Sequence, residues 1–289
     1  MSGAVVLVVL VAALLHVLWN SLVKTAADGT LATSAVAAGG GVLCAAALPF
    51  LPAVHAAAWW NVAGSVVLQA VYYPLVAATY RAGDMSATYP LMRGTAPLLV
   101  ALVSGPVLGE RPVAGQWFGV ALICAGIWLL ALGPALGPAL GRSRTGRLPP
   151  RRATGLALVT AAVIAAYTVV DGAGVRRSGA PATYTAWIFL GTAVPMVVLG
   201  LRRLRRAAPA AQLPRWWVAP VGGAANVGAY GLALWAMTRA PVAPVAALRE
   251  TSIVFATVVA GTLLHERVGP ARAAAAVVIA AGAVVLRLA

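Results

Sequence analysis

The chain has 289 residues, of which 62% are hydrophobic and only 9% are charged. This balance excludes a soluble globular protein, because the chain has too few polar side chains to cover the surface of one. The formal net charge of +15 would suggest nucleic-acid binding in a soluble protein, but nearly all of the cationic residues flank apolar stretches. We therefore attribute the charge to membrane topology and expect no nucleic-acid partner.

Ten apolar stretches along the chain each have the length of a membrane-spanning helix. They are rich in Ala, Val and Leu and lack the strict alternation of barrel strands. We therefore predict an all-α membrane protein of ten transmembrane helices in a lipid bilayer. The predicted segments are residues 4–24, 31–53, 58–80, 85–107, 113–133, 153–172, 182–201, 216–238, 241–264 and 268–288.

The first segment carries a polar stripe. His16, Asn20 and Lys24 are four residues apart and share one face of the helix, with Trp19 beside them. Polar side chains in membrane helices face the interior of the bundle, so we place Trp19 and Asn20 among the candidate substrate-binding residues. The alternative for Asn20 is a hydrogen bond between helices, while His16 suits packing and Lys24 suits the membrane surface.

The fourth segment contains an arginine, Arg93, in the sequence YPLMRGTAPLL. By helical rise this charge lies about 13 Å deep, where it costs several kcal/mol unless it faces a partner or a water-filled cavity. Pro90 and Pro97 flank it, so we expect a kinked helix with unsatisfied backbone groups near the charge. The guanidinium fork suits a carboxylate or phosphate of a substrate. The alternative is an internal ion pair with Asp171 or Glu250.

A long Pro/Gly/Arg-rich stretch lies near the midpoint of the chain, from Gly133 to Arg152. We predict a linker at residues 134–152 between two five-helix repeats at 1–133 and 153–289. With an odd number of helices in each repeat, the second repeat enters the membrane from the opposite face, so the two are inverted. Transporters built in this way place the substrate site at the midplane between the repeats.

The two halves also match residue by residue. An offset of 156 residues aligns Arg93 with Arg249, Thr95 with Thr251, and Glu110 and Arg111 with Glu266 and Arg267. Arg249 is followed at once by Glu250, and neighbouring residues on a helix do not face each other, so at least one needs a partner on another helix. Arg249 is a candidate substrate-binding residue. Glu250, the one carboxylate that the segmentation places well inside the membrane, is our first candidate for proton coupling.

The sixth segment ends in YTVVDGAGVRR and supplies the second candidate for proton coupling, Asp171. Its alternative is a structural role near the helix end, as an interfacial cap or a partner for Arg176. Aromatic and amide side chains in segment interiors suit a small amphipathic solute with an anionic group. From these we add four candidate substrate-binding residues, Tyr89, Tyr167, Asn226 and Tyr230.

Two motifs suggest a known family. The two stretches that match each other end in Gly-Glu-Arg at 109–111 and in His-Glu-Arg at 265–267, and a Gly-containing helix follows each of them. The first helix carries the sequence HVLWNSLVKTA. In these features the chain resembles the EamA-type branch of the ten-helix drug/metabolite transporter superfamily. The resemblance implies export of amino acids or related metabolites and cytoplasmic termini. The loop charges, by contrast, place both termini outside, and His265 departs from the usual Gly.

These features favour a secondary transporter that moves a small anionic or zwitterionic metabolite by alternating access, in a bacterial plasma membrane, with proton coupling as an option. The alternative is a flippase for a lipid-linked sugar or phosphate head group. We expect no enzyme and no catalytic residues, because the chain contains neither His-Glu-x-x-His nor Gly-x-Ser-x-Gly. We also expect no metal, no cofactor and no direct use of ATP. The sequence allows a homodimer without requiring one.

Overall fold

The computed structural model describes residues 1–136, 149–207, 212–262 and 269–289. Within these ranges the chain forms helices and no β-strand. In chain order they are α1 (Gly3–Lys24), α2 (Gly29–Ala47), α3 (Trp59–Ala82), α4 (Met85–Leu108), α5 (Ala114–Leu136), α6 (Arg151–Ser178), α7 (Pro181–Ala207), α8 (Val218–Met237), α9 (Val242–Arg249), α10 (Ser252–Thr262) and α11 (Pro270–Leu288), with short 3-10 turns at Leu48–Phe50 and Ala56–Ala58.

The prediction of an all-α membrane protein is confirmed. Among the described residues, eight helical segments are long and apolar enough to cross a membrane, and Ala114–Leu130 within α5 is a shorter apolar segment. The predicted segment 216–238 corresponds to helix α8. Most of the predicted linker, and the motif at 265–267, lie outside the described residues. The division into repeats at 1–133 and 153–289 stays a prediction.

By its internal contacts the chain divides into two compact units. Unit 1 comprises Met1–Leu10, Val71–Val169 and Ala240–Ala289, and unit 2 comprises Val11–Ala70 and Val170–Arg239. Each unit therefore draws residues from both halves of the sequence.

In unit 1, α5 packs closely against α11 because glycines face the contact. A Cβ atom at Gly119 would lie 2.7 Å from Cγ of Leu286, and one at Gly126 would lie 2.8 Å from Cγ1 of Ile279. From the other side, a Cβ atom at Gly282 would lie 2.7 Å from Cγ1 of Ile123. The small side chains thus allow the two backbones to approach, which is how membrane helices gain van der Waals contact.

In unit 2, α2 packs against both α7 and α8. Asp28 caps the start of α2, since its Oδ1 atom accepts hydrogen bonds from the amides of Thr30 and Leu31 at 3.0 and 3.1 Å. Its Oδ2 atom accepts one from Nε of Arg203 in α7 at 2.8 Å. Partial burial raises the pKa of the Asp28 carboxyl, but the hydrogen bonds from Leu31 and Arg203 outweigh it and bring the pKa below its ordinary value of 3.8.

The helix that is interrupted lies in the second half of the chain, and the matching helix of the first half, α4, is continuous. Helix α4 is helical throughout although it contains Pro90, Pro97 and Pro106. The predicted segment 241–264, by contrast, is two helices, α9 and α10, separated by Glu250 and Thr251. The amides of these two residues bond to carbonyls three positions back, at 2.9 and 3.1 Å, so one tight turn replaces the α-helical pattern. The predicted ninth segment thus contains a helix break, and Val242–Val259 within it is still long and apolar enough to cross a membrane.

Candidate functional site

The arginine of α4 is bound to the carboxylate at the helix break. Nε of Arg93 donates to Oε2 of Glu250 at 2.9 Å, and its Nη2 lies 2.9 Å from Oε1 of the same residue. The two side chains are 12% and 7% exposed. The contact is the two-point, fork-like pairing that guanidinium makes with carboxylates. The sequence analysis offered Asp171 or Glu250 as an ion-pair partner for Arg93, and in the structure the partner is Glu250.

Two adjacent charged residues, Arg249 and Glu250, lie at the helix break. Glu250 terminates α9 with φ −70° and ψ −10°, and its amide bonds to the carbonyl of Ala247. Arg249, the last residue of α9, and Glu250 both line one cavity. With Arg93, they are the three charged residues that line the cavity, and all three belong to unit 1.

The cavity is lined by three elements of unit 1. Its residues are Arg93, Ala96, Pro97 and Val100 of α4, Ile164, Tyr167 and Thr168 of α6, and Ala246, Arg249 and Glu250 at the end of α9. Its volume of about 20 Å³ is room for roughly one water molecule. A metabolite is larger than this cavity.

A second polar cluster lies in unit 2 around Asp171. The carboxylate is fully buried and accepts a hydrogen bond from the hydroxyl of Tyr184 at 3.0 Å and another from the hydroxyl of Tyr230. Helix α6 continues seven residues further, to Ser178. Asp171 therefore does not cap the end of α6, and it is a buried carboxylate in addition to Glu250.

Three neighbours complete this cluster. A Cβ atom at Gly174 would collide with the hydroxyl of Tyr184, so the absence of a side chain at Gly174 lets that tyrosine reach the carboxylate. Asn61 of α3 donates to the carbonyl of Val170, one residue before Asp171, at 3.1 Å. The cluster is thus held by backbone and side-chain contacts from several helices of unit 2.

The comparison with protein families bears on the second half of the chain. Residues 152–288 match the model of the EamA-like transporter family. Over these residues the chain belongs to the EamA-like transporter family. The predicted resemblance to the drug/metabolite transporter superfamily, which includes this family, is confirmed. The match makes the EamA-like protein a multi-pass membrane transporter of that superfamily's type and points away from an enzyme.

A solved crystal structure of a protein is similar to the whole EamA-like chain. The similarity covers 100% of this chain and 98% of the other, with a TM-score of 0.73 and 20% sequence identity. At this identity the similarity concerns the fold alone. Among curated proteins, none matches the sequence.

The structure distributes the candidate residues of the EamA-like protein over both units. In unit 1, Tyr167 lines the cavity with its ring 6.0 Å from that of Tyr72. Tyr89 packs instead against the apolar cluster that includes Met92 and Ile164. In unit 2, Asn226 is half-buried one helical turn before Tyr230. Substrate contact by any of these side chains stays a prediction.

The polar stripe of α1 forms hydrogen bonds within its own helix. Nε1 of Trp19 donates to Nδ1 of His16 at 3.3 Å, and Nδ2 of Asn20 donates to the carbonyl of His16 at 2.7 Å. The exposed Lys24 ends the helix. Asn20 thus donates one of its amide hydrogens to the backbone of its own helix.

The sequence did not predict two residues of these clusters, one in each unit. Thr168 lines the cavity beside Tyr167, and its hydroxyl bonds to the carbonyl of Ile164 at 2.7 Å. The spacing of Ile164, Tyr167 and Thr168 places them on one helical face, which was a usable signal. Tyr184 gave none, because a tyrosine within an apolar segment is equally compatible with packing.

Proposed function

We propose that this EamA-like protein is a secondary transporter that exports a small zwitterionic or anionic metabolite, such as an amino acid, across a bacterial plasma membrane. Transport proceeds by alternating access between the two repeats. The observation that supports the proposal is the two-point contact between Arg93 and Glu250 beside a cavity, within membrane-spanning helices. Intramembrane charges in such proteins mark substrate and ion pathways.

Charge balance within the Arg93–Glu250 pair favours a zwitterion. The bound pair of Arg93 and Glu250 is neutral, and removing either partner alone from a buried pair leaves a charge that costs several kcal/mol. A zwitterion can insert between the two, with its carboxylate on the guanidinium fork and its ammonium on Glu250. Both protein charges then stay paired, so the exchange needs no accompanying ion and the substrate's own gradient can drive export.

A purely anionic substrate imposes a further requirement. The anion binds Arg93 in place of Glu250. The released Glu250 then binds a proton, because an unpaired charge in this environment is costly. One proton would accompany each anion, which is the coupling role proposed for Glu250. Asp171 is the second proposed proton-carrying group. The substrate contacts proposed besides Arg93 are Trp19, Asn20, Tyr89, Tyr167, Asn226, Tyr230 and Arg249.

The experiment begins with a ligand-stabilisation screen of purified protein against amino acids, nucleobases, sugars and phosphorylated metabolites. The best ligand is then followed in proteoliposomes made with wild type, Arg93→Ala and Arg93→Lys. Both variants should lose transport, since neither preserves the fork. Arg81→Ala, at an exposed arginine that ends α3, is the matched control and should transport normally. Wild-type flux in Arg93→Ala would remove Arg93 from the site.

A further inference from the structure

The first turn of α9 is buried and lacks a cap of its own. Val242 and Ala243 are at most 1% exposed, and the residue before them, Pro241, has no side-chain acceptor. The amide of Val242 therefore needs an acceptor from elsewhere, because an unbonded N–H in an apolar environment is costly. Glu110 supplies it, with Oε1 and Oε2 at 2.9 and 3.0 Å from the amide nitrogen.

Glu110 reaches this place because α4 ends just before it. Gly109 adopts the left-handed conformation, with φ 69°, and its amide bonds back to the carbonyl of Gly105 at 2.9 Å. Such a residue terminates a helix and reverses the chain at little steric cost. The carboxylate that follows also compensates the partial positive charge at the start of α9.

The other end of α9 is attached to the same helix. Glu250 terminates α9 and is bound by Arg93 of α4. An eight-residue helix is about 12 Å long, and both of its ends are thus fixed by groups from α4 or from the residues just after it. From this arrangement we propose that Glu110 is a positioning residue, which sets where α9 lies along α4 and so brings Glu250 to Arg93. The inference rests on the proposed function of that pair as the substrate site.

Small displacements matter for such a pair. Moving α9 by one residue shifts Glu250 by 1.5 Å and turns it by about 100°. Neither movement is compatible with two N–H···O contacts near 2.9 Å to one guanidinium. Loss of the Glu110 contact therefore weakens a contact at the opposite end of α9.

Hydrogen–deuterium exchange tests the positioning without reference to transport. In Glu110→Ala, amides at both ends of α9 should exchange faster by about fivefold, the ratio expected for a lost cap. Glu110→Gln retains an oxygen acceptor and should stay close to wild type, as should Arg111→Ala at the exposed neighbour. Faster exchange confined to Val242 and Ala243, with the peptide around Glu250 unchanged, would overturn the proposal.

Transport supplies the second test. Glu110→Ala should lower flux roughly ten- to a hundredfold, yet add no further loss in a Glu250→Gln background, because it acts through that side chain. Losses that multiply would refute the positioning role while leaving the site intact. If Arg93→Ala and Glu250→Gln both transport like wild type, the proposed function fails, and the exchange result alone decides the role of Glu110. Should Glu110→Ala not fold, Glu110→Asp, whose carboxylate is one methylene shorter, replaces it in both tests.

Discussion

Replacing one member of the Arg93–Glu250 pair should destabilise the protein, whereas replacing both should restore most of its stability. Arg93→Met keeps much of the side-chain volume but leaves Glu250 without its two contacts at 2.9 Å. Because the two side chains are only 12% and 7% exposed, water cannot replace the lost partner, and we expect a loss of roughly 3–5 kcal/mol in the free energy of unfolding. Glu250→Met should cost a similar amount.

The double variant, Arg93→Met with Glu250→Met, should recover most of that loss, because it removes both charges together. The assay is reversible unfolding of purified protein in mixed micelles, for wild type, both single variants and the double variant. The quantity measured is the coupling energy, which is the difference between the double variant's loss in unfolding free energy and the sum of the two single losses. Losses below about 1 kcal/mol that simply add would show that the pair is effectively solvated, and the argument from charge balance would then fail.

Three further substitutions test other features. Gly174→Ala places a methyl group against the hydroxyl of Tyr184, and we expect a loss of about 1–3 kcal/mol in thermal unfolding; an unaffected melting temperature would contradict the packing. Gly119→Val should separate α5 from α11, with a similar loss and reduced yield of folded protein. Asp28→Ala should cost about 1 kcal/mol, since the partner Arg203 is half exposed. Because the pKa of Asp28 lies below its ordinary value of 3.8, the difference between wild type and this variant should be complete at neutral pH and vanish as the pH falls below about 4; a difference that persists there would argue against an ionised cap.

The sequence predicted the membrane segments well because hydropathy over some twenty residues is a strong signal. It did not predict where a helix breaks. Prolines around Arg93 predicted a kink in α4, and that helix is continuous across them. The real break, at Glu250 and Thr251, carries no proline. Its tight turn directs Glu250 to a partner in α4, which no local pattern reveals.

The sequence predicted which charged residues form the site, but it did not predict which of them form an ion pair. A buried arginine requires a partner, and the sequence narrowed the choice to Asp171 or Glu250. Which of the two carboxylates pairs with Arg93 depends on how α4 packs against α9. That packing rests on contacts between residues far apart in the sequence. The burial of Asp171 was missed because the charged residues after it, Arg176 and Arg177, lower the hydropathy of the last two turns of α6.

The helix break also bears on the duplication. The position aligned with Glu250 in the first copy is Gly94, where a Cβ atom would lie 2.7 Å from Cδ1 of Trp128. There is thus no space for an acid at the matching place, and a symmetric pair built from two first copies would hold arginines alone. In this alignment both halves carry the arginine, Arg93 and Arg249, and the second half alone carries an acid beside it. Because both halves belong to one chain, every molecule contains Glu250 together with its partner Arg93.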